Sequence, residues 1–277
     1  MGIEAVNGVV TIMSKQTRYE ARLPDSNGYI AYPDNEHEIW QALYDRQKGN
    51  LPQYACDAYL QGLEHLAMPK DRIPQLGEID KVLRDATGWR TAAVPALISF
   101  EKFFQLLANQ EFPVATFIRS KEEFDYLQEP DIFHEIFGHC PLLTNESFAR
   151  FSHQYGKLGL AASKEERVFL ARLYWFTVEF GLIRSSNNQL KIYGGGILSS
   201  PGETLYAMSD KPLVKAFDLV DILRTPYRID IMQPVYYTID SIDYLDEVVK
   251  MDIMAAVNKA RQLGLYPPMF EPKSKAS

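Results

Sequence analysis

The sequence has few cysteines, no long apolar run and no excess of positive charge, and each shortage excludes a class of protein. Its 277 residues include only Cys56 and Cys140, which cannot form the disulfide framework of a small secreted protein. No apolar run approaches the roughly 18 residues that a membrane span requires. A net charge of −7 argues against binding to a nucleic acid backbone. We therefore expect a cytoplasmic protein with no nucleic acid or membrane partner.

The chain also lacks internal repeats, low-complexity blocks and a linker rich in proline, glycine or serine. This uniformity favours one large domain over two small ones. We predict a peripheral N-terminal segment at 1–30, a single domain at 31–265 and a disordered polar tail at 266–277.

Helical spacing recurs along the chain with recognisable start and stop signals, whereas strands are few and short. No alternation of strands and helices is evident, so we expect a mainly α fold without a parallel sheet. Four helices are predicted with both ends: Asp34 to Gly49, Tyr54 to Ala67, Leu76 to Ala86 and Ser241 to Leu263. Three more are predicted to start after Ser99, Ser163 and Ser200. The predicted strands are Pro113 to Ile118 and an irregular stretch from Tyr227 to Ile239, broken at Pro234.

Two of the five histidines lie in one apolar stretch, from Pro130 to Pro141. A buried imidazole needs a hydrogen-bond partner or a metal, because an unpaired buried polar group costs roughly 1–3 kcal/mol. His134 and His139 are five residues apart, not four as in the H-E-x-x-H motif of zinc peptidases. On a regular helix their rings would point roughly 140° apart. Joint ligation therefore requires the turn to end or distort, and Gly138 and Pro141 favour such an end.

A third ligand is supplied by the apolar run from Leu173 to Ile183, in which Glu179 is the only acidic residue. No Lys or Arg lies within one turn before it, so metal ligation explains this carboxylate best. Two imidazoles and one carboxylate form the facial triad of non-haem iron(II) oxygenases, but they also describe catalytic zinc peptidases. The residue types alone leave iron and zinc open. The glycines at 194–196 lack the features of a nucleotide-binding loop.

The motif P-D-I-x-H-E-x-x-G-H-x-P, followed about forty residues later by Y-W-F-T-V-E-F-G, resembles the pterin-dependent aromatic amino acid hydroxylases. The similarity extends from about Tyr32 to about Asp246, and the short bacterial members that act on phenylalanine are the most similar. The family's fold is a basket of helices around an iron cleft. The resemblance therefore implies a single basket-like helical catalytic domain.

The resemblance assigns residues to three sites. It implies that His134, His139 and Glu179 are the catalytic iron ligands. The implied substrate-binding residues are Arg119, Trp175 and Ser199, of which Arg119 matches the residue that pairs with the amino acid's carboxylate. The implied pterin-binding residues include the stacking ring of Phe103, and the full set is Phe103, Ile98, Glu135, Ala171 and Tyr174.

The activity implied by the resemblance is hydroxylation of L-phenylalanine to L-tyrosine by dioxygen, with iron(II) and tetrahydrobiopterin as cofactors. Leu127 and Thr238 depart from residues that are common in the family near the substrate. The same chemistry on tyrosine or tryptophan is therefore an alternative. A zinc-dependent hydrolase that uses Glu135 as a base and a non-catalytic metal-binding protein are alternatives from other classes. We expect a monomer or a weak homodimer.

Overall fold

The computed structural model describes residues 2–6, 9–13, 18–124, 129–184 and 188–271, with side chains from residue 21 onward. The predicted mainly helical architecture with a few short strands is confirmed. The α-helices of the described residues are α1 (Asp34–Lys48), α2 (Leu51–Tyr54), α3 (Asp57–His65), α4 (Leu76–Thr87), α5 (Phe100–Ala108), α6 (Cys140–Leu143), α7 (Glu146–Ala161), α8 (Lys164–Tyr174), α9 (Gly195–Leu198), α10 (Pro201–Ala207), α11 (Leu219–Arg224), α12 (Tyr244–Lys250) and α13 (Ile253–Leu263).

Three segments have other helical geometries. A 3₁₀ turn covers Lys121–Glu123, and two π-helical segments cover His134–His139 (π1) and Trp175–Glu179 (π2). Each π segment joins an α-helix directly: α6 follows π1, and α8 precedes π2. Single π-turns inserted into helices are rare and occur frequently at functional sites.

The strands form three small sheets in the described part of the chain. One antiparallel sheet consists of β1 (Gly2–Val6), β2 (Val9–Met13) and β3 (Arg18–Arg22). The second pairs β4 (Arg90–Val94) with β5 (Glu111–Ala115). The third has the order β7-β6-β9-β8 and consists of β6 (Gly181–Arg184), β7 (Leu190–Ile192), β8 (Leu213–Ala216) and β9 (Val235–Ile239).

The prediction that no parallel pairing would occur is wrong. Strands β4 and β5 pair in parallel around α5, and β9 pairs in parallel with both β6 and β8. The strands have only four or five residues each, too few to give a clear alternating pattern in the sequence. The strand predicted from Pro113 begins at Glu111, and the stretch from Tyr227 to Ile239 is a strand only after Pro234.

Two predicted helices are each divided. The helix expected from Tyr54 to Ala67 is interrupted because Cys56 donates its backbone N–H to the Ile192 carbonyl, at 2.9 Å, beside the bridge between Ala55 and Ile192. The helix expected from Ser241 to Leu263 is divided into α12 and α13. Asp252 starts the second helix, since its side chain accepts the backbone N–H of Ala255.

The helix starts predicted after Ser99, Ser163 and Ser200 are confirmed. Ser99, Ser163 and Ser200 each accept a backbone N–H from the third residue that follows, and Pro201 occupies the first turn of α10. Gly88 ends α4 with a left-handed φ of 79°, a conformation that residues with a Cβ rarely adopt. Local chemistry therefore fixes these boundaries.

The main core surrounds π1. Phe133 stacks on Phe137 at 4.6 Å between ring centroids, while Trp40, Tyr44 and Tyr59 meet these two rings edge to face. Tyr59 also donates its hydroxyl to the Phe137 carbonyl at 2.7 Å. Helices α1 and α3 thus hold the outer face of the histidine-bearing segment. Across the described ranges we find no helix that is long and apolar enough to cross a membrane.

Candidate metal centre and surrounding cleft

The π1 segment brings His134 and His139 onto one face, as the five-residue spacing requires. A π-turn closes between residues i and i+5, so it widens the helix locally and brings residues five apart together. The two Nε2 atoms lie 3.2 Å from each other. The distortion is internal, because Cys140 and Pro141 continue directly as helix α6. The end of the turn that we expected Gly138 and Pro141 to favour does not occur, since Cys140 keeps helical φ and ψ angles of −60° and −33°.

Glu179 completes the cluster from the end of π2. Its Oε1 lies 3.3 Å from His139 Nε2, and its Oε2 lies 3.6 Å from His134 Nε2. One ligand atom from each residue lies within 4.8 Å of the others, and no further group of this kind exists among the described residues. Three donor atoms that converge in this way can bind one metal ion.

The glycines at 194–196 allow the two π segments to approach each other. A Cβ on Gly138 would lie 2.6 Å from the Gly195 carbonyl oxygen, and a Cβ on Gly195 would collide with the His139 ring. A Cβ on Gly196 would lie 3.1 Å from Glu179 Oε2. These glycines therefore pack against the candidate ligands, which accounts for a glycine motif that does not fit a nucleotide-binding loop.

Ser199 sets the orientation of the His134 ring. Its hydroxyl donates to the Gly195 carbonyl at 2.8 Å and lies 2.9 Å from His134 Nδ1. Because the hydroxyl hydrogen is directed to Gly195, we infer that Nδ1 carries the ring proton and donates it to Ser199. Nε2 then has a lone pair available for a metal. In metal sites generally, a hydrogen bond from the other imidazole nitrogen fixes the tautomer in this way.

The charges of the cluster suit a divalent cation. Burial lowers the pKa of His134 to about 4, against the opposing influence of Glu179, so its imidazole is neutral near pH 7. Burial acts to raise the pKa of Glu179, but His139 and His134 lower it below its usual value overall. The cluster therefore offers a neutral imidazole at His134 and an ionised carboxylate at Glu179.

Arg119 is fixed by a buried carboxylate that our sequence interpretation did not single out. Its Nε and Nη2 donate to the two oxygens of Asp131 at 2.8 and 2.9 Å, and its backbone N–H donates to Oδ2 at 3.0 Å. Asp131 Oδ1 also accepts the backbone N–H of His134 at 3.0 Å. The Asp131 and Arg119 side chains are 0% and 8% exposed, which excludes a surface ion pair. The only sequence signal was the position of Asp131 within the histidine motif.

The aromatic residues assigned to small-molecule binding are connected to this cluster by the chain and by one ring contact. Phe103 on α5 meets Tyr174 edge to face, at 5.2 Å between centroids. Trp175 begins π2, the segment that ends at Glu179. Ile98 lies just before α5, and Ala171 lies on α8; both are partly buried. The structure thus brings Phe103 and Tyr174 into contact and places Trp175 on the same short segment as Glu179.

Three residues that the sequence analysis singled out remain: Glu135, Thr238 and Leu127. Glu135 is buried, and burial raises its pKa well above the usual range, with Glu179 and Asp131 raising it further. Thr238 donates its hydroxyl to the Lys215 carbonyl at 3.3 Å. That hydroxyl therefore has a backbone partner on the neighbouring strand β8. Leu127 lies outside the described residues.

Together these features define a mainly helical protein with the two-histidine, one-carboxylate donor set of mononuclear non-haem metal enzymes. A family model described as biopterin-dependent aromatic amino acid hydroxylase matches residues 10–266. The chain belongs to this family, as its motifs predicted.

Two further similarities cover nearly the whole chain. The phenylalanine-4-hydroxylase of Pseudomonas aeruginosa is 60% identical, covering 95% of this chain and 100% of that protein. The apo structure of the cold-active phenylalanine hydroxylase from Colwellia psychrerythraea has a TM-score of 0.89 at 58% identity, covering 93% of this chain and 99% of that one.

A third similarity concerns a structure with bound cofactors. The phenylalanine hydroxylase of Chromobacterium violaceum with iron(III) and 7,8-dihydrobiopterin has a TM-score of 0.83 at 41% identity. It covers 91% of this chain and 90% of that one. The likeness thus extends to a protein that holds both an iron ion and a pterin.

Proposed function

We propose that this protein hydroxylates L-phenylalanine to L-tyrosine with dioxygen and tetrahydrobiopterin at a non-haem iron(II) centre. The observation that carries the proposal is the convergence of His134, His139 and Glu179 on one point inside a chain of this family. The similarity to bacterial phenylalanine hydroxylases supports phenylalanine as the substrate. Family membership also favours iron over zinc, a choice that the donor set alone leaves open.

The residues present fit the iron. His134 and His139 offer Nε2 atoms 3.2 Å apart, and the carboxylate of Glu179 faces both rings. When bound, iron(II) and the tetrahydropterin would supply the reductive activation of dioxygen, which protein side chains cannot perform alone. Ser199 would keep the His134 ring in the ligating tautomer.

Binding of the amino acid would rely on Arg119 and Trp175. A guanidinium suits a carboxylate because its planar fork can make two parallel hydrogen bonds. Asp131 binds Nε and Nη2, which holds the guanidinium in one orientation and connects it to the backbone of His134. We propose that Arg119 binds the substrate carboxylate while Trp175 forms part of the wall around the aromatic ring.

The pterin would bind beside Phe103, whose ring offers a stacking face for a flat heterocycle. Ile98, Glu135, Ala171 and Tyr174 complete the proposed pterin site. Phe103 is partly buried, and its ring is nearly perpendicular to the neighbouring ring of Tyr174. The substrate and the pterin would then be bound beside the metal by residues of different elements.

Thr238 bears on substrate preference. A threonine hydroxyl that faced the pocket could pair with the polar group of tyrosine or tryptophan. Its hydrogen bond to the Lys215 carbonyl uses the one hydrogen of this hydroxyl within the sheet, so Thr238 has none to donate to a substrate. A phenolic hydroxyl in an apolar pocket would then lack this partner, at a cost of roughly 1–3 kcal/mol. This favours phenylalanine.

We place the catalytic unit at residues 31–265 and propose a cytoplasmic monomer or weak homodimer. Both cysteines are buried and unpaired, as suits a reducing compartment. Sedimentation at several protein concentrations would test the oligomeric state.

Competition among phenylalanine, tyrosine and tryptophan tests the proposed reaction. Purified protein should be supplied with iron(II), a saturating tetrahydropterin and oxygen, with products identified by mass. We expect tyrosine from phenylalanine to dominate, and an iron chelator to abolish it. A larger kcat/KM for tyrosine or tryptophan would contradict the substrate, and absence of all three products would contradict the reaction.

A further inference from the structure

The indole of Trp175 is held by two neighbouring aromatic rings and at its single hydrogen-bond donor. Tyr227 stacks on the indole at 4.4 Å between centroids with an interplanar angle of 16°. Phe180 lies 4.4 Å from it at 33°. The indole N–H donates to Gln233 Oε1 at 3.0 Å, across 58 residues of sequence. The stacking partners fix the plane of the ring, and the hydrogen bond fixes its rotation within that plane.

The amide of Gln233 can face Trp175 in only one orientation. Its Nε2 donates to the carbonyls of Arg228 and Ile231, both at 2.9 Å, so the amide oxygen must point away from these carbonyls and toward the indole. Gln233 is 1% exposed, and loss of these bonds would leave buried polar groups without partners. The same amide therefore holds Trp175 to the loop that follows Tyr227.

The backbone of Gln233 is fixed separately by Glu203. The Gln233 N–H donates to Glu203 Oε1 at 3.1 Å, and the hydroxyl of Tyr236 donates to the same oxygen. Glu203 lies in the first turn of α10, directly after the segment in which Ser199 contacts His134. Through Glu203, the position of Gln233 is thus tied to the chain segment in which Ser199 orients His134, a proposed iron ligand.

We propose that Gln233 is a positioning residue that fixes the Trp175 indole against the ring of the substrate. The inference rests on the proposed function for its substrate and goes beyond it in assigning a role to Gln233. Because the indole N–H is directed to Gln233, the indole presents only its apolar surface to a bound ring. Gln233 therefore contributes to the geometry of the pocket and to its preference for an unsubstituted ring.

The substitution Gln233→Met keeps the length of the side chain and removes the acceptor and both donors. We expect the KM for phenylalanine to rise about three- to tenfold, the effect of losing one ordinary hydrogen bond. The KM for tetrahydropterin should stay unchanged, because Phe103, the proposed stacking partner of the pterin, lies on a different element, α5. The yield of tyrosine per tetrahydropterin oxidised should fall, since a looser wall leaves the ring in less productive positions.

The indole N–H signals in a ¹⁵N–¹H spectrum give a measurement that needs no turnover. The chain has three tryptophans. The N–H of Trp40 donates to the Pro69 carbonyl, that of Trp89 is buried with no partner among the described residues, and that of Trp175 donates to Gln233. Loss of one signal in Trp175→Phe assigns it. In Gln233→Met that signal should shift, while the signals of Trp40 and Trp89 should not.

A matched control and a double-mutant cycle complete the test. Gln75→Met removes a glutamine whose amide makes two hydrogen bonds with the Ile30 backbone, away from Trp175. It should leave the Trp175 signal and the KM for phenylalanine unchanged. Gln233→Met should add little to the KM of Trp175→Phe, because their shared hydrogen bond is already lost.

An unmoved Trp175 signal in Gln233→Met overturns the proposal, as does an equal KM increase in Gln75→Met. Full additivity in the cycle does the same. Should Gln233→Met fail to fold, Trp175→Phe tests the same hydrogen bond from the other side and should raise the KM for phenylalanine. Failure of the wild-type protein to hydroxylate phenylalanine would instead contradict the proposed function and leave the spectral result intact.

Discussion

At the scale of single residues, the candidate metal centre depends on three donors and one hydroxyl whose contributions differ in size. His134, His139 and Glu179 point at one another, whereas Ser199 touches only the far nitrogen of one ring. Loss of a direct ligand removes a bond to the metal. Loss of the hydroxyl removes only the restraint on a tautomer. Substitutions at these positions should therefore fall into two groups.

We predict that His134→Ala, His139→Ala or Glu179→Ala lowers bound iron(II) from about one per chain to near zero and abolishes tyrosine formation. Ser199→Ala should weaken iron binding by about 10- to 100-fold, the usual effect of removing a partner of a ligating histidine. Metal analysis after dialysis checks both statements. His65→Ala, an exposed histidine on α3, is the control and should retain iron. Full iron in any of the first three variants would remove that residue from the ligand set.

We predict that the two proposed small-molecule sites separate kinetically. Arg119→Ala should mainly raise the KM for phenylalanine, because the substrate carboxylate loses its partner. Phe103→Ala should mainly raise the KM for tetrahydropterin, because the heterocycle loses a stacking face. Since Arg119→Ala leaves Asp131 buried without its cation, thermal unfolding of the variant must be measured alongside. The assignment fails if both variants change the same constant alone.

At the scale of elements, the two π segments and the glycines packed between them bring the candidate ligands together. Gly138 lies in π1 against the backbone of Gly195, and this contact has no flexible side chain that could move away. Gly77 on α4 is a contrasting case, since a Cβ there would meet nothing within 4 Å. Comparing substitutions at Gly138 and Gly77 therefore distinguishes the effect of close packing from the general effect of replacing glycine in a helix.

We predict that Gly138→Ala destabilises the protein by about 1–3 kcal/mol through overpacking and weakens iron binding. Gly77→Ala should instead stabilise it by about 0.4–1 kcal/mol, because alanine restricts the unfolded chain without a clash. Urea unfolding of the two variants with matched iron titrations tests this pair. Wild-type stability and iron affinity in Gly138→Ala would show that the two segments can separate at little cost.

The sequence could predict those elements whose signals are local. Ser99 and Ser163 indicated helix starts, and histidines within an apolar stretch indicated the candidate ligands. It could not show the division between α12 and α13 or the parallel pairing of β4 and β5, because these depend on a restarting cap and on partners distant in the chain. Asp131 and Gln233 were missed for the same reason: their partners Arg119 and Trp175 lie 12 and 58 residues away.

At the scale of the whole molecule, a cluster around Asp221 joins α11, the third sheet and the segment after α13. The Asp221 carboxylate accepts the Tyr237 hydroxyl at 2.7 Å and pairs with the Lys215 ammonium. The backbone N–H of Tyr266 donates to the Arg224 carbonyl, and the Arg224 guanidinium lies 4.0 Å above the Tyr266 ring. This cluster fastens residues near the end of the described chain to strands β8 and β9.

The pH dependence of this cluster follows from the pKa of Asp221. Burial acts to raise that pKa, but hydrogen bonds from Lys215, Tyr237 and Tyr266 outweigh it, so the pKa in the folded protein lies below its usual value of 3.8. A carboxyl with a lowered folded pKa stabilises the fold above its unfolded pKa. That contribution is lost as the pH falls through the folded pKa.

We predict that Asp221→Asn lowers the free energy of unfolding by about 1–3 kcal/mol at pH 7, because it removes the charge that Lys215 pairs with and weakens the hydrogen bonds. The difference between wild type and variant should shrink as the pH falls below about 4, since the wild-type carboxyl then becomes neutral as well. Urea unfolding at pH 7 and at successively lower pH values measures this. Asp240→Asn, an exposed carboxyl at the end of β9, should show no such convergence. A difference for Asp221→Asn that stays constant down to pH 3 would mean that its effect is steric and that the charge of Asp221 does not stabilise this end of the molecule.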